Sequence, residues 1–415
     1  MRQAPVMIGL TFAAAIVAVG SAQNTPITLE FVRLGGDVHN AYLEPIIKAF
    51  EAQNPDIKIN STVVVSGGYE AMTQKVLLGV AAGTPPDVAQ VGYSFLRTHI
   101  ESAGASPLDS FMKADAAFNK RGLFPAMAKL GRLDKQTYLV PLGTLSPVMY
   151  INLDLFKAAG LDATKAPNTW AEVKAAAEKL KAAGNEGVLW GWSITGNWIF
   201  QSMLETAGGK FASVTDPRKP TFQFAAGQKV MSFLADLTAN KLMPVTEDLV
   251  PTFLSGKLGM LVESSFQRVN LEKNAKFAWK MIPMPTPDGK EPRVPAGGNG
   301  VMMIAKDKAR QQASWRFMRF LTEPEPSRLV AENTGYTPGN QSVALEMKKK
   351  YANNANFQLV LEQAPNVLSW HSWPGQHGPK ISQVLKDMQL AVLSGRQQPK
   401  AALDAAAKQV QELLK

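Results

Sequence analysis

The chain has 415 residues, of which 46% are hydrophobic and 19% are charged. This balance excludes an intrinsically disordered chain, which would be more polar and more highly charged. At roughly 100–200 residues per domain, the length predicts two or three domains, large enough to fold by core burial alone.

The charge is strongly positive, with a formal net value of +10 at pH 7. The lysines and arginines lie scattered at helical spacings, and the densest run is the short stretch 348–350. Scattered cations are typical of a solvated surface and not of a nucleic-acid-binding face. We therefore predict no nucleic-acid partner, while an anionic ligand stays open as an alternative.

The N-terminus has the layout of a secretory signal peptide, predicted to span residues 1–22. Arg2 supplies a positive charge, residues 6–19 are almost wholly apolar, and small residues follow up to Ala22. A membrane anchor is the alternative, but about 14 apolar residues are too few to span ~30 Å of hydrocarbon. The sequence contains no cysteine, which excludes the lipidated residue of a bacterial lipoprotein.

The elements that follow alternate between strand and helix. Apolar periodicity and Gly/Pro terminators predict strands at 27–32, 57–65 and 87–91, with helices at 42–53 and 71–82. This alternation predicts a parallel sheet in an α/β domain.

The pattern continues to the C-terminus, with breaks rich in proline and glycine near 140–143 and across 282–298. Such breaks predict two lobes joined by crossing segments that form a hinge. We assign 23–139 plus 294–340 to an N-terminal lobe, and 140–293 plus 341–415 to a C-terminal lobe. Further strands are predicted at 148–151, 187–194, 258–262 and 301–304, and helices at 153–159, 169–183 and 309–321, with Thr169 as an N-cap. Residues 387–414 are predicted to be mostly helical, with a break at 395–399.

Enzyme motifs are missing. No GxSxG motif occurs, Gly256-Lys257 lacks the Ser or Thr of a phosphate loop, and no GxGxxG follows a strand. His371 and His377 lie close in sequence, but no third metal ligand is in reach. We therefore predict no catalytic residue, no metal and no cofactor.

Aromatic residues in loops provide the positive signal. A sugar ring buries its C–H face on a flat aromatic side chain, and small polar groups bind its hydroxyls. A core role is the alternative, and we expect it for Trp170 and Trp315, which fall on helix faces. We expect Trp373 to stack on a ligand that the loop tyrosines contact. The aromatic residues of this group are Tyr69, Tyr93, Trp190, Trp192, Trp198, Tyr336, Trp370 and Trp373.

Several segments, in order along the chain, resemble one family. They are GTPPDVAQV at 83–91, PVMYINLDLFKAAGL at 147–161 followed by NTWAEV, AGGNGVMMIAK at 296–306, WRFMRFLTEPE at 315–325, NTGYTPGN at 333–340, and the C-terminal helices. These segments are similar to family 1 extracellular solute-binding proteins of ABC importers, which include maltose-binding and glycerol-phosphate-binding members.

The resemblance implies a two-lobed periplasmic binding protein of type II, a Venus flytrap that closes on its ligand around a hinge of crossing segments. It implies binding without catalysis, transient docking to inner-membrane ABC permease subunits, and a monomer. Because a secreted chain without a lipid anchor is useful to an importer only in a closed compartment, we expect it in the periplasm. A secreted enzyme and a chemoreceptor partner are the competing classes.

The resemblance carries site residues over only in part. Glycerol-phosphate-binding members have a Glu after the third strand, where this chain has Tyr93, and an Arg before the final helices, where it has residues 370–373 (WHSW). A dianionic phosphate needs such a cation, so we expect a neutral sugar, with glycerol 3-phosphate or a glycerophosphodiester as the alternative. The expected ligand-binding residues are Tyr69, Tyr93, Ser146, Trp198, Ser264 (or Ser265), Gly298 (or Gly297), Asn299, Tyr336, Trp370 and Trp373.

Overall fold

The computed structural model describes residues 25–415, so the predicted signal peptide lies outside the described residues. The strands are β1 Ile27–Leu34, β2 Ile57–Val64, β3 Val88–Gly92, β4 Arg132–Leu133, β5 Gln136–Thr137, β6 Leu139–Leu145, β7 Pro147–Asn152, β8 Glu186–Trp190, β9 Leu258–Ser264, β10 Trp279–Pro283, β11 Gly297–Met303 and β12 Thr337–Pro338. The helices are α1 Asp37–Gln53, α2 Gly68–Ala81, α3 Leu96–Ser102, α4 Asp109–Ala114, α5 Ala116–Arg121, α6 Leu153–Ala158, α7 Trp170–Ala182, α8 Trp198–Thr206, α9 Ala225–Ala239, α10 Leu249–Leu254, α11 Gln267–Asn274, α12 Lys308–Phe320, α13 Pro324–Thr334, α14 Gln341–Lys350, α15 Ala355–Gln363, α16 Gly378–Leu393 and α17 Pro399–Leu413.

The first lobe is built on a six-stranded sheet in the order β12-β6-β11-β3-β1-β2. Strand β1 runs parallel to β2 and β3, as the strand–helix alternation predicts. Strands β11, β6 and β12 join this sheet antiparallel to their neighbours. These strands come from distant parts of the chain, so the alternation of local elements did not predict their pairing. The sheet is therefore mixed, and the prediction of a parallel sheet was wrong for this part.

The second lobe is built on a four-stranded sheet in the order β10-β7-β9-β8. Strand β7 is antiparallel to β10 and β9, whereas β8 is parallel to β9. Every residue of β7 and of β9 is buried, so both faces of these strands are shielded from solvent. Trp170 begins α7, stacks on Phe233 at 4.7 Å between ring centroids and lies in the core, as predicted.

The chain passes from the first sheet to the second between β6 and β7 and returns to the first between β10 and β11. Only Ser146 separates β6 in the first sheet from β7 in the second. The predicted boundary between residues 139 and 140 therefore precedes the change of sheet by a whole strand. Pro141 suggested a break, but it lies within β6, where the register with β11 shifts between Asn299 and Gly300, and a bulge of this kind accommodates a proline.

Two lobes with crossing segments confirm the predicted fold class. The N-cap prediction also holds, because Thr169 and Glu172 form a capping box at the start of α7. Between residues 25 and 415 we find no helix with the length and apolar character needed to cross a bilayer.

Candidate ligand-binding cleft

A cavity of about 220 Å³ lies where the two lobes face each other. The first lobe contributes the start of α2, strand β11 and the turn after α13. The second contributes the segment before α8, the end of β9 and the segment that precedes α16. The lining residues are Leu34, His39, Gly68, Tyr69, Leu145, Ile194, Thr195, Trp198, Ser264, Phe266, Gly297, Gly298, Tyr336 and Trp370.

Two tyrosine hydroxyls on the first-lobe side are held by one buried amide. Asn299 Nδ2 donates to Tyr69 Oη at 2.9 Å and to Tyr336 Oη at 3.1 Å. The Asn299 carbonyl oxygen in turn accepts from Gln90 Nε2 at 2.9 Å. Burial raises the pKa of Tyr69 and of Tyr336. Both hydroxyls therefore stay protonated at neutral pH and present hydrogen-bonding groups without charge.

Two tryptophans also line the cavity. The rings of Trp198 and Trp370 lie 5.6 Å apart between centroids at 37°, and Tyr69 meets Trp370 edge-on at 6.4 Å. Trp198 Nε1 donates to the Pro295 carbonyl at 2.8 Å, which fixes its ring. A Cβ on Gly297 would meet the Trp198 ring at 2.4 Å, so only glycine lets β11 approach this closely.

The cavity holds no lysine or arginine among its lining residues. Burial lowers the pKa of His39 to about 4, so its ring is uncharged at neutral pH. The hydrogen-bonding groups come instead from hydroxyls on Tyr69, Tyr336 and Ser264. A lining that combines aromatic rings with neutral hydroxyls suits a neutral, hydroxyl-bearing ligand.

Glu70 connects the lobes across the cleft. It lies in the first turn of α2, and its carboxylate accepts from the Thr195 hydroxyl and, at 2.7 Å, from the Ser382 hydroxyl. Thr195 precedes α8, and Ser382 lies in α16, which packs on α9 and α17 of the second lobe. The Glu70 carboxylate therefore links the two lobes by hydrogen bonds in this conformation, in which the lobes are in contact.

Replacing Glu70 by alanine should shift the unliganded protein toward separated lobes. One hydrogen bond to a charged group is worth about 1.5 kcal/mol, and a smaller closed population weakens apparent binding in proportion, by about tenfold. Small-angle scattering should show a larger radius of gyration, and calorimetry a weaker affinity. Gln383→Ala on the outer side of α16 is the control, and an E70A protein indistinguishable from it would rule out the connection.

Glu263 is a buried carboxylate beside the cleft. It precedes Ser264 in β9, is 7% exposed and accepts a hydrogen bond from the Ser264 amide. Desolvation by burial raises the pKa of Glu263 from 4.5 to about 8, and the Ser264 amide opposes this only in part. The folded protein therefore holds a proton on Glu263 at neutral pH.

The stability should consequently fall as the pH rises. Below pH 4.5 Glu263 is protonated in both the folded and the unfolded state, whereas between pH 4.5 and about 8 only the folded state keeps the proton. Unfolding then releases a proton and becomes easier as the pH rises. Glu263→Gln should stabilise the protein at pH 7 by up to about 3 kcal/mol and flatten this dependence. Chemical denaturation at pH 5 and pH 8 measures how the free energy of unfolding changes with pH. Glu178→Gln, at an exposed position, is the control. An equal change with pH in the two variants would contradict the prediction.

The structure brings most of the predicted site residues to one cavity, but not all of them. Asn299 lies behind the lining and positions two of its tyrosines. Tyr93 points elsewhere, with its hydroxyl donating to the Gly143 carbonyl at 2.7 Å. Ser146 is buried between the sheets, and Trp373 packs on His371 and Phe211. The predicted residues that line the cavity are Tyr69, Trp198, Ser264, Gly298, Tyr336 and Trp370.

The sequence analysis missed Glu70, Thr195 and Phe266. Glu70 directly follows a predicted site residue, Tyr69, but a glutamate in a first helical turn is ordinary. Thr195 and Phe266 lie in irregular segments whose path depends on the packing of the second lobe. Throughout residues 25–415 we find no group of three or more His, Asp or Glu side chains placed to hold a metal ion.

Two α/β lobes that meet across an aromatic, uncharged cavity define a binding protein of the Venus-flytrap type. A sequence model of the bacterial extracellular solute-binding protein family matches residues 35–327, and the chain belongs to this family. It is therefore a bacterial extracellular solute-binding protein, and the prediction of a solute-binding protein is confirmed.

Known relatives cover almost the whole chain. The sn-glycerol-3-phosphate-binding periplasmic protein UgpB of Escherichia coli K12 is 27% identical over 402 residues, which cover 90% of this chain and 89% of UgpB. An ABC substrate-binding protein of Listeria monocytogenes in complex with cycloalternan superposes with a TM-score of 0.81 at 20% identity, covering 94% of this chain and 99% of that one. UgpB of Mycobacterium tuberculosis in complex with glycerophosphocholine gives 0.78 at 20% identity, covering 94% and 98%. The two structures support the fold.

Proposed function

We propose that this chain captures a carbohydrate, a disaccharide or oligosaccharide, between its two lobes and delivers it to an ABC permease. The observation that carries the proposal is one cavity lined both by the rings of Trp198 and Trp370 and by Tyr69 and Tyr336, whose hydroxyls Asn299 holds. Aromatic faces bury the apolar side of a sugar ring, and the hydroxyls bind its rim. The Listeria protein, whose structure is in complex with cycloalternan, has the same fold.

Glycerol 3-phosphate or a glycerophosphodiester is the second candidate. It is favoured by the similarity to the E. coli and M. tuberculosis UgpB proteins. The lining of the cavity disfavours this ligand, because it contains no lysine or arginine to neutralise the charge of a phosphate. Within this cavity only fixed dipoles would be left to bind the phosphate group.

We further propose that residues 1–22 are removed on export, and that the protein works as a periplasmic monomer that docks transiently on the permease. The support is the layout of residues 1–22, together with a family whose members are extracellular or periplasmic. The intact mass of protein recovered from the periplasm tests the cleavage, and size-exclusion chromatography with light scattering tests the monomer. A retained leader or a stable dimer would refute these two points.

Thermal unfolding with a ligand panel tests the function. The panel is maltose, cellobiose, trehalose, sucrose, glucose, glycerol and sn-glycerol 3-phosphate. A ligand at 100 times its Kd stabilises by about 2.7 kcal/mol, which raises Tm by several degrees. A shift with a neutral sugar supports the proposal. A shift with sn-glycerol 3-phosphate alone would replace the first candidate by the second.

A further inference from the structure

A second, larger chamber adjoins the cleft. It encloses about 410 Å³ between α3 and the β4–β5 hairpin on one side and α8 with the loop that follows it on the other. Trp370 lines both this chamber and the inner cavity of the cleft. Tyr93, which the sequence predicted as a ligand contact, lines this outer chamber.

Two hydrogen bonds connect the sides of the outer chamber. Ser372 Oγ accepts a hydrogen bond at 2.9 Å from the Arg97 backbone amide, and Glu101 accepts one at 2.7 Å from the Gly375 amide. These bonds join α3 to the segment that carries Trp370. At about 220 Å³ the inner cavity is smaller than the ~300–1,000 Å³ typical of ligand sites. Because Trp370 lines both cavities, the outer chamber offers room for the rest of a ligand longer than one ring.

The two chambers differ in charge. Three cationic side chains line the outer one, Arg97, Arg132 and Lys210, against the single carboxylate of Glu205. Lys210 pairs with Glu205 at 3.3 Å, and Arg97 pairs with Glu101, outside the lining, at 3.0 Å. The lining of the outer chamber therefore has an excess of positive charge, whereas the inner lining has no lysine or arginine.

The outer chamber also offers aromatic faces. Phe211 and His371 line it beside Trp370, and their rings lie 5.6 Å apart between centroids. Burial lowers the pKa of His371 to about 3, so this ring adds no charge at neutral pH. Flat rings next to guanidinium groups suit a ring that carries an acidic substituent.

We propose that the outer chamber binds a second sugar unit carrying an anionic group, a carboxylate or a phosphate, beside the neutral unit in the inner cavity. This inference rests on the proposed function and deepens it. It states which end of the ligand is acidic and in which chamber that end lies. Arg97 and Arg132 bind the anion, and Trp370 separates the two units.

Calorimetric titration at low salt with matched pairs tests this. The pairs are cellobiose with cellobiuronic acid and maltose with maltose 6′-phosphate, so that carboxylate and phosphate are distinguished. We expect the acidic member of at least one pair to bind about tenfold tighter than its neutral partner, as one charge-assisted hydrogen bond would give. This preference should shrink as salt rises.

The variants R132Q and R97Q/R132Q test whether the preference for the acidic ligand comes from the outer chamber. Arg132 has an exposed guanidinium whose bond is to the Lys135 carbonyl, so its loss leaves the core intact. Both variants should lose the preference and keep the affinity for the neutral sugar, whereas R316Q, which removes a surface pair with Asp56, should change neither. Neutral binding without acidic preference, or a preference that survives in R97Q/R132Q, would overturn this inference alone. Failure of every carbohydrate would overturn the proposed function as well.

Discussion

Replacing Trp370 by leucine is expected to weaken carbohydrate binding by about 10- to 150-fold. Burying a large apolar side chain contributes about 1.5–3 kcal/mol, and each 1.4 kcal/mol is a factor of ten in affinity. Trp370 packs on Trp198 and Tyr69 and lines both chambers. Its loss should therefore affect every ligand that spans them, as calorimetric titration of W370L would measure.

Trp373→Leu is the matched control. Trp373 lies three residues away in the same segment and is similarly buried, at 6% exposed against 4% for Trp370. It packs on Phe211 and His371 and lines neither chamber, so W373L should lose stability but keep its affinity. If W373L loses the ligand while W370L keeps it, the stacking residue is Trp373, as the sequence suggested.

Replacing Asn299 by leucine should cost about 2–4 kcal/mol of folding free energy and weaken binding by at least tenfold. Leucine has a similar volume but leaves the Gln90 amide and the hydroxyls of Tyr69 and Tyr336 without their shared partner. Each buried polar group left unsatisfied costs about 1–3 kcal/mol, and the two hydroxyls can compensate each other only weakly, at 3.5 Å. Chemical denaturation and ligand titration of N299L measure the two losses.

Asn340→Leu separates stability from binding. Asn340 is also a buried amide, which caps α14 through Ser342 and Val343 and donates to the Thr322 carbonyl at 2.9 Å. Its loss should lower stability by a similar amount without changing affinity, because it does not line the cleft. If N299L loses stability but binds as tightly as N340L, the tyrosine hydroxyls do not contact the ligand.

The sequence predicted the elements of the first lobe well where local periodicity decides them. Strand β1 and helix α1 lie where apolar spacing places them, within a few residues at their ends. The order of the strands in the sheet could not be predicted in the same way. Strands β11 and β6 pair across about 150 residues of intervening chain, and no local pattern encodes such a pairing.

The sequence predicted site residues correctly where they follow a glycine that allows a backbone turn. Tyr69 follows Gly67 and Gly68, both at positive φ, and Tyr336 follows Gly335 in the left-handed cap of α13. Between Trp370 and Trp373 the sequence had no means to decide, because residues 367–377 form no regular helix or strand whose period would orient them. The charge of the outer chamber was equally hidden, since Arg97, Arg132 and Lys210 come from distant parts of the chain.

Side-by-side calorimetric titration with neutral disaccharides and with sn-glycerol 3-phosphate tests the central claim most directly. The inner cavity has aromatic walls, neutral hydroxyls and no lysine or arginine in its lining. We therefore expect a neutral disaccharide to bind at one site per chain, W370L to lose most of that affinity, and sn-glycerol 3-phosphate to give no saturable heat. Saturable binding of sn-glycerol 3-phosphate by a protein that binds none of the sugars would contradict the account.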